Sequence, residues 1–302
     1  RKRTRSFDFQ QHIHNQSHPD IVKFLERLRQ VADAYPDRFL LAEVGGPEPL
    51  AEMRAFTQGD ARLNSAYGFD FLYAERLTPA LVKRAVEDWP EDASWPTWAF
   101  ENHDAPRAIS RWVGEKHRET FARTKMLLLC TLRGSITLWQ GEELGLPQVD
   151  VPFDRLQDPE AIANWPHTLS RDGARTPMPW SSKEPNLGFS RAEPWLPLGE
   201  SHAELVVDRQ LERQDSMLHF TRECLQLRNA NAALRYGGMK IVQADDQLLI
   251  FVRTARGERL RCTFNLSDRT ASFEASGKPL ISIGNVDGAS LGPYAALVEE
   301  IA

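Results

Sequence analysis

The chain has 302 residues, of which 41% are hydrophobic and 26% are charged, which is typical of a folded globular protein and excludes a disordered or collagen-like one. With 37 basic and 42 acidic residues, the net charge of −5 argues against nucleic-acid binding and gives no support for binding to a membrane surface. No apolar run approaches the ~18–20 residues of a membrane-spanning helix. Three widely separated cysteines show no zinc or disulfide spacing and predict reduced thiols in a cytoplasmic protein: Cys130, Cys224 and Cys262.

Helical and strand-like segments alternate through the first two thirds of the chain. Apolar residues at helical spacing predict helices at 21–32, 49–57, 79–88 and 116–132. Short apolar runs that end in polar or breaking residues predict buried strands at 39–42, 67–73, 97–100 and 135–139. The alternation predicts four parallel β/α units.

The pattern changes twice in the remainder of the chain. A long irregular stretch runs from 146 to about 201, and loops of that length in a compact domain are usually functional. A helix is predicted at 204–228. After Tyr236, strand-like runs recur about every ten residues, which predicts an antiparallel sandwich with a domain boundary near residue 235. The predicted strands lie at 240–244, 248–253, 260–265, 271–274 and 280–283.

Polar residues stand at the carboxyl ends of all four predicted parallel strands, where ligands and catalytic groups collect in such architectures. These residues are Glu43, Asp70, Glu101, Asn102, His103, Asp104, Gln140, Glu142 and Glu143. A carboxyl group in low-dielectric surroundings holds a proton more readily, and two facing carboxyl groups are a recurring tool of glycosidic bond cleavage. A lone glutamate after a strand is more often a solvated or helix-capping group, and Asn-His-Asp is also a helix-capping pattern. Their joint appearance on successive strands favours a site.

Four motifs resemble the α-amylase family of glycoside hydrolases (family 13). Residues 100–107 are similar to the segment after the seventh barrel strand, 41–44 to the segment with the general acid, and 136–145 to the eighth strand and its loop. Residues 171–180 resemble the α-glucosidase and oligo-1,6-glucosidase branch, which includes sucrose isomerases. The resemblance implies that 1–235 form about strands five to eight of a (β/α)8 barrel, followed by a β-sandwich at 236–302.

The resemblance also implies roles for individual residues. Glu43 matches the proton donor to the glycosidic oxygen, and Asp104 matches the acidic residue that binds sugar hydroxyls and supports the oxocarbenium-like ring. His103 matches a histidine that hydrogen-bonds the same sugar. Arg171 resembles the arginine that closes the pocket behind the non-reducing end, and Arg175 is the competing candidate.

Phe69 occupies a position where the family often places an aromatic ring near the bound sugar, and a core role remains equally open.

The family's aspartate nucleophile lies in a Gly-Phe-Arg-x-Asp run, and this chain contains no such run. We therefore expect the nucleophile to lie outside this chain, which resembles the C-terminal part of an α-glucosidase and is inactive alone because the glycosyl–enzyme cannot form.

The resemblance implies an enzyme that hydrolyses terminal non-reducing α-glucosidic bonds of small oligosaccharides or disaccharides. A sucrose isomerase or transglucosidase is the alternative, and a non-catalytic transporter-subunit relative is a more distant one. No cofactor is implied and no metal-ligand cluster is visible, although a dependence on cations stays open. The choice between α-1,4 and α-1,6 linkages is not readable from these residues.

Overall fold

The computed structural model describes residues 9–46, 48–89, 95–167 and 170–302. Its first part alternates helices with short strands, as the sequence predicts. The elements are α1 (Ile21–Asp33), β1 (Leu41–Glu43), α2 (Pro49–Thr57), β2 (Ser65–Tyr67), α3 (Pro79–Glu87), β3 (Thr97–Ala99), α4 (Ala108–Arg111), α5 (Arg118–Thr131) and β4 (Ser135–Thr137).

The four strands pair in parallel, so that their carboxyl ends share one edge. Strand β1 pairs with β2, with Glu43 opposite Tyr67, and β3 pairs with β4. The two pairs meet through Ser65, whose hydroxyl lies 2.6 Å from the hydroxyl of Thr97. Among the described residues, β1 and β4 have no further strand partner, and each therefore presents an open edge.

The second strand begins and ends earlier than the sequence indicated. The prediction of a strand at 67–73 is wrong, because β2 ends at Tyr67 and the chain then turns. The amide of Tyr73 donates to the carbonyl of Phe69 at 3.2 Å, which closes a helix-like turn. Phe69 therefore lies in the loop after β2.

The hydrophobic core lies between these strands and α5, most of whose residues are buried. Aromatic rings interlock edge to face: the Phe100 ring centroid lies 4.9 Å from that of Phe71 and 5.5 Å from that of Trp112. Phe251 and Phe264 of the C-terminal sheet belong to the same buried cluster. The core is thus continuous from the parallel strands into the C-terminal sheet.

The long loop carries α6 (Pro159–Asn164) and is followed by α7 (Val207–Glu212), α8 (Met217–Ala230) and α9 (Ala232–Tyr236). The prediction of one helix at 204–228 is wrong, since the chain breaks between α7 and α8. The Ser216 hydroxyl accepts from the amide of His219 and donates to the carbonyl of Gln210 at 2.8 Å. This N-cap begins a new helix and explains the break.

The C-terminal part is antiparallel. The strands are β5 (Gly238–Ala244), β6 (Leu248–Ala255), β7 (Glu258–Asn265), β8 (Ala271–Ser272), β9 (Lys278–Ile283), β10 (Ser290–Leu291) and β11 (Ala296–Glu300). A five-stranded sheet has the order β5-β6-β7-β11-β9, and β8 pairs with β10 in a second, two-stranded sheet. Strands β10 and β11 were not predicted from the sequence. The domain boundary near residue 235 stays a prediction.

Buried groups tie the two parts together. The Arg253 guanidinium, which is fully buried, donates to the carbonyls of Thr131, Leu234 and Gly237.

All three cysteines are buried and form no disulfide, as the sequence predicts. Across the described ranges, no helix has the length and apolar character needed to cross a bilayer.

Candidate active site

Glu43 ends strand β1 and lies beside Tyr67, its register partner on β2. The Tyr67 hydroxyl donates a hydrogen bond to the Glu43 carboxylate, and the tyrosine ring packs against Leu72, Ala99 and Ala105. Burial and the neighbouring Glu43 carboxylate raise the pKa of Tyr67 well above its ordinary value. The phenol is therefore a proton-holding donor at neutral pH. The Glu43 side chain itself is exposed.

The loop after β3 is shaped by two of its own buried residues. Asn102 Oδ1 accepts from the backbone amides of Asp104 at 2.9 Å and Ala105 at 2.8 Å. Glu101 Oε1 accepts from the backbone amide of Ala108 at 3.1 Å, at the start of α4. Asn102 thus stabilises a turn within the loop and caps no helix, and only Glu101 contacts the first residue of α4. The side chains of His103 and Asp104 are left for other contacts.

The Asp104 carboxylate faces three cationic or ionisable groups. Its Oδ1 lies 2.7 Å from Arg175 Nη2, 3.6 Å from Arg171 Nη1 and 3.5 Å from His103 Nε2. Arg175 Nε also donates to the backbone carbonyl of His103 at 2.7 Å. Arg175 is therefore the direct partner of Asp104, and two nitrogens of its planar guanidinium group fix both the carboxylate and the loop that carries it.

Arg171 is held mainly by Asp158. Arg171 Nη2 lies 2.6 Å from Asp158 Oδ1, and Arg171 Nε lies 3.0 Å from Asp158 Oδ2. Burial alone would raise the pKa of Asp158, but the hydrogen bonds from Arg171 lower it to about 2. Because Asp158 holds two nitrogens of Arg171, Arg171 Nη1 lies farther from Asp104 Oδ1, at 3.6 Å, than Arg175 Nη2, at 2.7 Å. Asp158 was not among the residues predicted from the sequence.

Glu43 and Asp104 follow parallel strands whose carboxyl ends share one edge. Burial comes first among the causes that raise the pKa of Tyr67, the negative charges of both carboxylates add to it, and the Asn102 side chain lowers it in part. Tyr67 is thus a neighbour of both predicted acidic residues. Tyr67 was not predicted from the sequence, because the predicted strand at 67–73 placed it at the beginning of the strand and not at the carboxyl end, where functional residues collect.

Phe69 lies in the loop after β2, next to the loop after β1. It is half-buried, its ring centroid lies 5.4 Å from that of Tyr73, and it packs with Leu72 and Ala99. Its Cε2 atom lies 3.4 Å from the position that a Cβ at Gly45 would occupy. The ring therefore contributes to packing while keeping an exposed part, and its contact with a sugar stays a prediction.

A cavity of about 480 Å³ opens beside His103. Its lining combines polar groups with aromatic and apolar side chains that are suited to a sugar: among them Trp139, Gln140, Arg175, Met178, Phe189 and Trp195. The His103 ring centroid lies 5.8 Å from that of Trp139.

In the parts of the chain that the structure describes, no group of three or more His, Cys, Asp or Glu residues is arranged to hold a metal ion.

A buried charge cluster lies behind the loops after β3 and β4. We define it as Glu101, Arg107, Lys125 and Glu142, whose side chains are at most 1% exposed. Arg107 Nη1 lies 3.3 Å from Glu101 Oε2 and donates to the carbonyl of Gln140 at 2.6 Å. The cluster thereby fixes the strand-end loop that carries His103 and Asp104 relative to the loop after β4.

The charges in this cluster perturb one another. Burial and the charge of Glu101 raise the pKa of Glu142 to about 7 despite the opposing effect of Lys125. Burial opposes ionisation of Glu101 as well, but Lys125 and Arg107 outweigh it and lower the pKa of Glu101. The sequence signal that was missed is a lysine within the apolar run of α5, since a buried lysine needs a charged partner.

Comparison with known proteins identifies the family. The sequence-family model described as the alpha-amylase catalytic domain matches residues 2–237 of this chain. A probable alpha-glucosidase of Rhizobium meliloti (strain 1021) is 38% identical, with 91% of this chain and 50% of that protein covered. An oligo-1,6-glucosidase of Parageobacillus thermoglucosidasius is 27% identical, with 84% and 51% covered. The chain spans about half the length of these curated relatives.

Solved structures show the same fold. The crystal structure of the alpha-glucosyl transfer enzyme XgtA has a TM-score of 0.88 and 36% identity, covering 98% of this chain and 57% of that one. Trehalulose synthase MutB from Pseudomonas mesoacidophila MX-45, at 22% identity and a TM-score of 0.85, supports the fold alone. The predicted fold class, a partial (β/α)8 barrel followed by an antiparallel sandwich, is confirmed, whereas the roles of the site residues stay predictions. The chain belongs to the alpha-amylase family.

Proposed function

We propose that this chain is part of a retaining α-glucosidase that releases glucose from the non-reducing ends of short α-glucosides. The observation that carries the proposal is the placement of Glu43 and Asp104 beside the same tyrosine, with Asp104 bound to Arg175 and flanked by Arg171. In this proposal the substrates are disaccharides and small oligosaccharides, the location is cytoplasmic, and no cofactor is required.

In the proposed reaction, a carboxylate from a segment outside this chain attacks the anomeric carbon while Glu43 donates its proton to the departing glycosidic oxygen. A water molecule then attacks the glycosyl–enzyme, and Glu43 takes back a proton. Asp104 and His103 bind hydroxyls of the reacting glucosyl unit. Arg175 holds Asp104 and lines the cavity, and Arg171 flanks Asp104. In this proposal the two arginines exclude longer chains beyond the non-reducing end.

Open surfaces support a role for additional chain in completing the barrel. The edges of β1 and β4 carry no further strand among the described residues, and α1 exposes large apolar side chains. Phe24 is 60% exposed and Val31 is 62% exposed. Apolar surface of this kind is usually covered by another part of a folded protein.

Transglucosylation is the second candidate. It is favoured by the 36% identity to a protein described as an alpha-glucosyl transfer enzyme. In that reaction a sugar or alcohol hydroxyl replaces water in the second step, and Glu43 takes the proton of that hydroxyl. The non-catalytic alternative is disfavoured because Glu43, His103 and Asp104 are all present.

The test is activity of the longer protein that carries this chain, assayed with maltose, isomaltose and an activated aryl α-glucoside. We expect release of α-configured glucose, detected by NMR. Glu43→Gln removes the transferable proton, so disaccharide hydrolysis falls by ~10²–10⁴-fold while glycosylation by the aryl substrate falls much less. Glu212→Gln, at an exposed residue of α7, is the control.

The outcomes separate the candidates. Transfer products that dominate when a sugar acceptor is added favour the transglucosidase. Absence of any glucose release or transfer refutes both enzyme proposals, and activity of residues 1–302 alone contradicts a nucleophile outside the chain.

A further inference from the structure

Tyr67 combines a fixed ring with a hydroxyl that reaches the predicted acid. Its ring is anchored against Leu72, Ala99 and Ala105, and its backbone is locked opposite Glu43 by the parallel register of β1 and β2. Among the described residues, the structure shows no hydrogen bond to the Glu43 side chain other than the one from Tyr67. The hydrogen bond from the half-buried Tyr67 therefore fixes the position of one carboxyl oxygen of Glu43, although the Glu43 side chain is exposed.

We infer that Tyr67 is a positioning residue for Glu43, holding one carboxyl oxygen so that the other faces the glycosidic oxygen. This inference rests on the proposed α-glucosidase function. A glutamate side chain has three rotatable bonds, and a bond from a fixed donor removes much of that freedom before the substrate arrives. Tyr67 acts through Glu43 and transfers no proton to the substrate.

The surroundings keep this hydroxyl in its donating form. Burial of the phenol comes first among the causes, and the carboxylates of Glu43 and Asp104 add to it, so that the pKa of Tyr67 lies above its ordinary value. A neutral tyrosine donates to Glu43 both when that group is ionised and when it carries the proton to be transferred, because the unprotonated oxygen accepts in either case. The contact is thus compatible with both steps of a retaining reaction.

Substrates of different leaving-group ability distinguish positioning of the acid from a general loss of structure. In the longer protein that carries this chain, Tyr67→Phe keeps the ring and removes only the hydroxyl. We expect kcat for maltose to fall about tenfold, as for the loss of one hydrogen bond to a charged group, with little change in KM. Glycosylation by an activated aryl α-glucoside changes by less than about twofold, since its leaving group needs no proton.

The matched control is Tyr236→Phe, which removes the hydroxyl of an exposed tyrosine at the end of α9. It should leave kcat for both substrates unchanged. Equal losses with maltose and the aryl glucoside in Tyr67→Phe overturn the inference, as does full retention of maltose hydrolysis.

A measurement independent of activity tests the contact itself. With tyrosine labelled at Cζ, NMR follows the chemical shift of Tyr67 Cζ at neutral pH, assigned by its disappearance in Tyr67→Phe or, if that variant does not fold, in Tyr67→Trp. In Glu43→Ala this resonance should move from its wild-type position, because the acceptor of the Tyr67 hydrogen bond is gone. An unmoved Tyr67 resonance refutes the contact. A wild-type protein without glucosidase activity refutes the proposed function, and the Tyr67 resonance still decides whether Tyr67 holds Glu43.

Discussion

Lys125 Nζ lies 2.6 Å from Glu142 Oε1, and both side chains are buried. Lys125 also lies 3.0 Å from Glu101 Oε1, so one ammonium group joins the loops after two neighbouring strands. Burial alone would lower the pKa of Lys125, but the two carboxylates raise it and keep the lysine charged. His103 and Asp104 follow Glu101 by two and three residues, so this buried ionic contact anchors the loop that carries them.

Removal of the lysine should destabilise the protein strongly. Lys125→Met leaves two buried carboxyl groups without their shared cation, and breaking a buried ion pair typically costs about 3–5 kcal/mol in the free energy of unfolding. Urea denaturation measures this change. Lys83→Met is the control, because Lys83 forms an exposed pair with Glu87 on α3 that is worth at most about 0.5 kcal/mol. Similar changes in the two variants would contradict the structural role of the buried charge cluster.

His202 should make the stability depend on pH. Its side chain is fully buried and its ring nitrogens have no hydrogen-bond partner among the described residues. Burial, aided by the positive charge of Arg107, lowers the pKa of His202 from 6.5 to about 4. Between these values the unfolded chain binds a proton that the folded protein does not, so this contribution to stability is lost as pH falls from 6.5 towards 4.

The test of this linkage compares wild type with His202→Leu by urea unfolding across that pH range. The variant lacks the imidazole, so its free energy of unfolding should fall less than that of wild type on acidification. Its unfolding should take up fewer protons than that of wild type, by up to about one proton. The difference between the two proteins isolates His202 from Glu142, which titrates in the same range with the opposite effect on stability. His167→Leu, at an exposed histidine, is the control and should follow wild type. Parallel curves for wild type and His202→Leu would refute the assignment.

Asp104→Asn should slow both classes of substrate. The change removes the negative charge that faces Arg171 and Arg175. Under the proposed function it weakens contacts to the sugar rather than to the leaving group. We expect kcat to fall by about 10²–10³-fold for maltose and for an aryl α-glucoside alike. Asp215→Asn, at an exposed aspartate, should change neither. A loss confined to maltose would assign Asp104 to leaving-group chemistry and contradict its predicted role.

Arg175→Lys tests which arginine holds Asp104. Lysine has no planar fork and does not reproduce the simultaneous contacts to Asp104 Oδ1 and the His103 carbonyl. We expect kcat/KM for maltose to fall about tenfold, since one charge-assisted hydrogen bond is lost. Arg191→Lys, an exposed arginine on the same long loop, is the control. If Arg175→Lys behaved like this control, Arg171 rather than Arg175 would be the arginine that fixes Asp104.

Much of the architecture was readable from the sequence because its signals are local. Apolar runs and helical spacing located β1, β3, β4 and α5, and turn residues separated the antiparallel strands of the C-terminal part. The motif runs around Glu43, Asp104 and Arg171 located the candidate site. Where a local signal was ambiguous, prediction failed: the turn at Phe69 resembled a strand, and the serine cap at Ser216 was hidden in a continuous helical pattern.

Relations across strands were decided only by the tertiary structure. The contact between Tyr67 and Glu43 depends on the register of two strands separated by a helix, and the choice between Arg171 and Arg175 depends on Asp158. Lys125 gained its role from two carboxylates that packing brings within hydrogen-bond distance. The sequence by itself determined where β1, β3 and β4 end to within a few residues, since these ends follow from local patterning, whereas the end of β2 at Tyr67 was not determined in this way. The tertiary structure determined which of the strand-end residues meet, because distances between side chains are fixed by packing.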